Sequence, residues 1–141
     1  MGPRLAEQVT NVVNITAVKR TATTAVKGTA QNVSDCEEVT ALVNSSLLAT
    51  STTCDVKLQH SNTTTDGDFV DITSAAIVQL APTAANDVVA PISVRPSKKY
   101  LRSYMVPGGA QIADGVTVGV NFQLKKLGNL PVVNSPASVV V

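Results

Sequence analysis

Hydrophobic and polar residues alternate most cleanly over residues 116–124, where Val116, Val118, Val120, Phe122 and Leu124 share one side and Thr117, Gly119, Asn121 and Gln123 share the other. Period-two alternation marks a strand with one buried face, because successive side chains leave a pleated strand in opposite directions. A second run precedes it. Tyr100, Arg102, Tyr104 and Val106 alternate with Leu101, Ser103 and Met105, so both faces carry some apolar surface. Between the runs lie Pro107-Gly108-Gly109 and Asp114-Gly115, residues that favour turns and loops. The two runs are expected to be neighbouring antiparallel strands with a long loop, a hairpin forming the floor of a sheet core.

Earlier in the chain, residues 54–60 (CDVKLQH) place Cys54, Val56, Leu58 and His60 on one face and Asp55, Lys57 and Gln59 on the other. Asp66-Gly67 follows as a hairpin-turn signal, with a return strand over 69–72 that continues, after a kink, over 76–80. Val39, Ala41 and Val43 recur at period two, so 38–48 reads as a strand, although Ser34-x-x-Glu37 just before it resembles a helix capping box. Residues 88–92 contain Pro91, which removes a ladder donor and implies an edge or a break. Residues 21–26 read as a first strand closed by Gly28.

The two ends differ from the middle. Residues 1–20 do not alternate cleanly, and Thr10, Asn11, Asn14 and Thr16 are poor helix formers. This stretch reads as an extended arm that adds an edge strand to its own sheet or to a neighbour's. Residues 128–141 (GNLPVVNSPASVVV) carry Pro131 and Pro136, which forbid a regular helix, and valines with nothing local to pack on. Such an end is expected to lie along a sheet or a neighbouring subunit. The total is about seven to nine short strands and no helix, hence an all-β chain. The expected organisation is a single antiparallel β-sandwich, jelly-roll-like, over 21–127, with extended N- and C-terminal arms at 1–20 and 128–141.

Composition narrows the function. The 141 residues can bury a core as one domain; 44% are hydrophobic, only 3% aromatic and 15% charged, with a net charge of +1. That balance makes no electrostatic case for nucleic acid or an anionic membrane surface, and no apolar run is long enough to span a bilayer. The start, MGPRLAEQVTNVV, has no apolar core of a secretory signal, and Ala6 stands where a myristoylation motif needs Ser or Thr. Export by that route and lipidation are therefore not expected. Cys36 and Cys54 are too few for a disulfide framework and read as two reduced, buried thiols.

The candidate chemistry is sparse. The one histidine, His60, lies on the apolar face of its strand and reads as a core or edge residue. One His with two Cys 18 apart makes no zinc pattern, and Asp66, Asp68 and Asp71 lack the Glu that would complete a calcium loop. Gly108-Gly109 is followed neither by a helix pattern nor by a Gly-Lys-Thr or Gly-Lys-Ser signature, so no phosphate site is expected. Arg95, Lys98, Lys99 and Arg102, like Lys125 and Lys126, are expected to guard sheet edges or to meet a partner's carboxylates. Sequons at Asn14, Asn32, Asn44 and Asn62 are expected by chance in a chain rich in Ser and Thr. The expectation is a protein that is not an enzyme and carries no cofactor or metal.

DVKLQHSNTTTDGDFVDIT, then VRPSKKYLR, then the Gly-rich loop and VTVGVNFQL, resemble small accessory structural proteins of tailed bacteriophages and prophages. Those proteins carry a similar hairpin, a K(R)YLR strand and a terminal V-x-V-x-V strand. The resemblance covers residues 54–124, and its motifs are structural rather than catalytic. His60 departs from the pattern, standing where an acidic or polar residue is common, and the first 50 residues match less well. The resemblance implies a capsid cement, or decoration, protein: a virion structural protein on the capsid exterior, assembled in the host cytoplasm, bridging neighbouring major capsid protein subunits. Partners would be the major capsid protein and other copies of the chain, most simply as a two-fold dimer, with a trimer as the alternative. Contacts are expected from the ends, at Leu130, Pro131, Val132, Val133, Val139, Val140 and Val141, and at Val9, Val12 and Val13. Alternative readings are a tail or virion-surface accessory protein, or a carbohydrate- or receptor-binding sandwich, the latter disfavoured by so few aromatic residues.

Overall fold

The computed structural model describes residues 9–46, 48–82 and 89–126. Among these residues nine strands run in chain order: β1 (Val9–Arg20), β2 (Val26–Lys27), β3 (Gln31–Asn32), β4 (Cys36–Ser45), β5 (Thr53–Ser61), β6 (Val70–Ala76), β7 (Val89–Val94), β8 (Tyr100–Gly108) and β9 (Val116–Lys126). A four-stranded sheet has the order β1-β9-β4-β7; the other has the order β2-β8-β5-β6, with β3 also on β8. Every pairing is antiparallel. Counting β2 and β3 as one interrupted edge strand, the chain crosses between sheets at every connection except the β5–β6 hairpin. That strand order is the jelly roll, two Greek keys closed into a sandwich.

The core follows from the register. On the inner face of the four-stranded sheet, Val12, Phe122, Ala41 and Ile92 form one row across β1, β9, β4 and β7, and Ile15, Val120, Val43 and Ala90 form the next. Val56, Leu58, Leu101 and Met105 supply the opposing layer, all at most 1% exposed. Burial of each such side chain contributes roughly 1.5–3 kcal/mol, so these rows are the main source of stability. Cys36 and Cys54 are buried free thiols, and burial, with a smaller effect from Asp55, pushes the Cys54 thiol up to about 12.

Four expectations change. First, β8 and β9 are not a hairpin: each is an inner strand of a different sheet, and residues 109–115 carry the chain across the sandwich. Their alternation is real, but strands buried against neighbours on both edges need not pair with each other. Gly109 and Gly115 make the crossing possible with φ of 100° and 94°, values that disfavour a side chain. Second, the strand expected at 21–26 is only the two-residue β2, and exposed Thr21–Thr24 belong to the connection between sheets. Third, Asp66-Gly67 lies in a short 3₁₀ turn (Asp66–Asp68) within a longer loop, not in a two-residue hairpin turn. Fourth, the sandwich begins at Val9 rather than at residue 21: of the two places expected for the N-terminal edge strand, residues 9–20 take the one on the chain's own sheet. The arm at 128–141 lies outside the described residues.

The irregular pattern of β1 has a cause. Its register on β9 shifts between Val13 and Ile15 and again between Ile15 and Val18. At the first bulge Asn14 and Ile15, adjacent in sequence, are both buried. Asn14 then reaches the other sheet: its Oδ1 accepts from the Ser103 backbone N–H at 2.8 Å and from the Ser103 hydroxyl, and its Nδ2 donates to the Thr29 carbonyl at 2.7 Å. Gly28 leaves room for this amide, since a methyl group there would overlap it. The Asn14 sequon is therefore sealed inside the folded chain, at 7% exposure.

Replacing Asn14 by Ala strands the Ser103 N–H and hydroxyl in the interior, so urea unfolding should show a loss of about 2–3 kcal/mol. Gly28→Ala should lose a comparable amount by displacing the same amide. A loss below about 0.5 kcal/mol for Asn14→Ala, the scale of an ordinary surface change, would contradict the clamp.

Candidate functional site

The outer face of the β2-β8-β5-β6 sheet gathers Arg102, Asp66 and Asp71 from the charged residues singled out in the sequence, with Lys57 and Lys27 beside them. Pairing sets Arg102 of β8 opposite Gln59 of β5, and Gln59 opposite Asp71 of β6. Arg102 Nε donates to Gln59 Oε1 at 2.9 Å, and Gln59 Nε2 donates to Asp71 Oδ1 at 2.8 Å. Lys57 Nζ meets the other Asp71 oxygen at 2.6 Å and lies 5.0 Å from the Tyr104 ring centroid. The 3₁₀ turn folds back over this row. There Asp66 receives Arg102 Nη1 at 2.6 Å and Lys27 Nζ at 2.7 Å, and the Arg102 guanidinium sits 4.1 Å from the Phe69 ring centroid.

This arrangement gives the Asp66-Gly67-Asp68-Phe69 motif a structural job. Phe69 is buried on the outer face of the sheet as a lid over Arg102, and Asp66 neutralises a cation that is only 6% exposed. Asp68 accepts from the Thr63 hydroxyl at 2.6 Å. The three carboxylates are thus turned toward separate partners. Among the described residues, no group of three or more His, Cys, Asp or Glu is placed to hold a metal ion. Lys125 and Lys126 likewise meet Glu37 at 3.7 Å and Asp35 at 3.1 Å within the chain.

His60 lies opposite Leu101, on the inner side near the end of its strand, and is half-buried. Burial, with Lys98 nearby, holds its imidazole below the usual histidine value, so it is neutral at pH 7. Ser97 Oγ is 3.4 Å from its Nδ1, a long contact on an exposed loop. A larger hollow of about 570 Å³ opens at the opposite end of the sandwich, lined by Lys19, Leu48, Ala49, Thr50, Pro82, Asp114, Gly115 and Thr117.

The outer face of the β1-β9-β4-β7 sheet has a different character. One row across its four strands is Asn11, Gln123, Thr40 and Ser93; the next is Val13, Asn121, Leu42 and Pro91. Neither row holds a charge. Thr40 and Ser93 share a hydroxyl–hydroxyl hydrogen bond of 3.0 Å, Leu42 is half-buried, and Val13 is 62% exposed. Of the three contact residues expected in β1, Val12 faces the core opposite Phe122, Val9 is half-buried at the strand's start, and Val13 points outward. Leu130, Pro131, Val132, Val133, Val139, Val140 and Val141 lie outside the described residues. Leu42 and Pro91 escape notice in the sequence because only cross-strand pairing puts them beside Val13.

No protein-family model matches the chain, and no curated protein matches it. Among solved structures, the chain is similar to dimeric latent PorU from Porphyromonas gingivalis, at 9% identity and a TM-score of 0.39. The match covers 90% of this chain and 15% of that one, so the chain spans a small part of that protein's length.

The paired face should respond to acid. Hydrogen bonds from Lys27 and then Arg102 hold the Asp66 carboxyl below its ordinary value of 3.8, and those from Lys57 and then Gln59 do the same for Asp71. Both folded values are depressed, so their contribution is complete above about pH 4 and is lost as pH falls through the lowered values. Urea midpoints measured from pH 6 downward should fall below about pH 4, and the Asp66→Asn, Asp71→Asn double variant should show a shallower fall. Identical slopes in the two proteins would remove these two pairs from the account.

Proposed function

We propose that this chain is a capsid cement protein, which attaches to the outside of a phage capsid shell and stabilises it by bridging neighbouring major capsid protein subunits. The observation that carries the reading is the unequal charge of the two outer faces. On one sheet Arg102, Lys27 and Lys57 are already paired within the chain; on the other, two rows across four strands are uncharged and include Leu42 and Val13. A protein that must lie flat on another needs a face that loses its water at little cost, and buried centres of interfaces are depleted of charge for that reason. The resemblance over residues 54–124 supports the same reading.

In this mechanism the two uncharged rows on the outer face of the β1-β9-β4-β7 sheet rest on the shell. The valine-rich stretch at 130–141 and the start of β1 reach adjacent subunits or a sister copy. Each contact need be only moderate, since many copies on a closed lattice add their attachments. The partners are the major capsid protein and sister copies, the place is the virion exterior, and neither nucleic acid nor membrane enters.

Purified chain mixed with empty, expanded shells of the major capsid protein from the same genome should co-sediment saturably at a fixed copy ratio. Leu42→Lys should weaken binding by about tenfold or more, because a charge is then desolvated at the contact. A chain ending at Gly128 should also bind less. Folded full-length chain that stays in the supernatant would overturn the proposal.

A further inference from the structure

A jelly roll has open sheet edges, and an open edge presents unpaired N–H and C=O groups to any other strand. In this chain three of the four edges are interrupted. The β2/β3 edge consists of two pieces of two residues each. The β7 edge contains Pro91, and the β6 edge is broken by a register shift and by Ser74 at φ 66°. The fourth edge, β1, is blocked over its second half. There Arg20 Nη1 turns back to donate to the Thr16 and Val18 carbonyls at 3.1 and 3.0 Å, beside the two bulges. What remains is Val9–Val13, five residues in unbroken register with β9, none of them charged.

We infer that the Val9–Val13 edge is a self-association site at which a second copy of this chain adds its own Val9–Val13 antiparallel, about a two-fold axis through Asn11. The sequence of the segment, Val-Thr-Asn-Val-Val, matches its own reverse in character. About that axis Val9 faces Val13 of the second copy, Thr10 faces Val12, and Asn11 faces Asn11. Aliphatic side chains meet aliphatic ones on the outer face, and the two amides can hydrogen-bond to each other. A contact of this kind is isologous and closes at two copies. It joins two four-stranded sheets into one, and the uncharged row through Asn11, Gln123, Thr40 and Ser93 continues into the same row of the second copy. The first cation after the segment, Lys19, lies well past the paired residues, and none of the five paired residues carries a charge. This inference does not rest on the capsid reading, because the pairing needs nothing but the chain.

Sedimentation equilibrium of the full chain without shells decides it. The chain should show a reversible monomer–dimer equilibrium, while Asn11→Lys and Asn11→Asp, both at an exposed position and both checked for fold by circular dichroism, should each be monomeric. Like charges on the axis face each other in either homodimer, whereas an equimolar mixture of the two variants places opposite charges there and should restore the dimer. A monomer up to about 1 mM, where even a small interface must register, would overturn the inference. So would a trimer, a dimer that survives in both variants, or a mixture that stays monomeric. Shell binding by a monomeric chain would leave the proposed function standing while removing this one.

Discussion

The apolar rows supply most of the stability, but what fixes how the two sheets sit on one another is the Asn14 amide, which ties one sheet to the other by directed bonds. Hydrophobic burial is non-directional and tolerates sliding of one layer over another. Asn14 leaves a bulge on β1, accepts two hydrogen bonds from Ser103 on β8 and donates to the Thr29 carbonyl between β2 and β3. It thereby also satisfies a backbone group exposed where the edge strand is interrupted. A buried amide without those partners would be costly; with them it fixes a single arrangement of the layers.

From that arrangement the division of labour between the outer faces follows. Closing a polar row such as Arg102–Gln59–Asp71 under the Phe69 loop sequesters charge and stiffens one sheet. The exposed ion pairs there, Lys27–Asp66 and Lys57–Asp71, individually contribute little. Their effect is collective, since Asp66 bonds both Lys27 and Arg102 and so anchors the loop that covers the guanidinium. In two rows across its four strands the opposite sheet keeps uncharged amides, hydroxyls and small apolar groups outward, a surface that can be dried without leaving a charge unpaired.

The all-β class and most strands were legible because period-two patterning survives wherever a strand is regular. Val39, Val43, Val56, Leu58, Val118, Val120 and Phe122 are all buried, as their alternation implies. Two kinds of feature were not legible. Long-range pairing is the first: β8 and β9 read as a hairpin because they are adjacent in sequence, and nothing local says that each is flanked by other strands. Local irregularity is the second. The bulges of β1 put Asn14 and Ile15 inward together and so erased the alternation that would have revealed the strand. The candidate surface was hidden for the first reason, since Val13, Leu42, Pro91 and Asn121 become neighbours only through three separate pairings.

Edge protection completes the physical picture. A sandwich made of many antiparallel strands would polymerise if its edges were long and regular, and this chain breaks each edge by a different device: brevity, proline, a left-handed serine, or an arginine folded onto its own strand. Arg20 is the informative case. Its side chain closes the part of β1 beyond the bulges and leaves the regular part open, so the protection stops where Val9–Val13 begins. Bulges elsewhere in the same strand prevent a partner from extending the pairing along its full length. A short open edge of this sort limits association to one neighbour and one register, which distinguishes a specific contact from a template for aggregation.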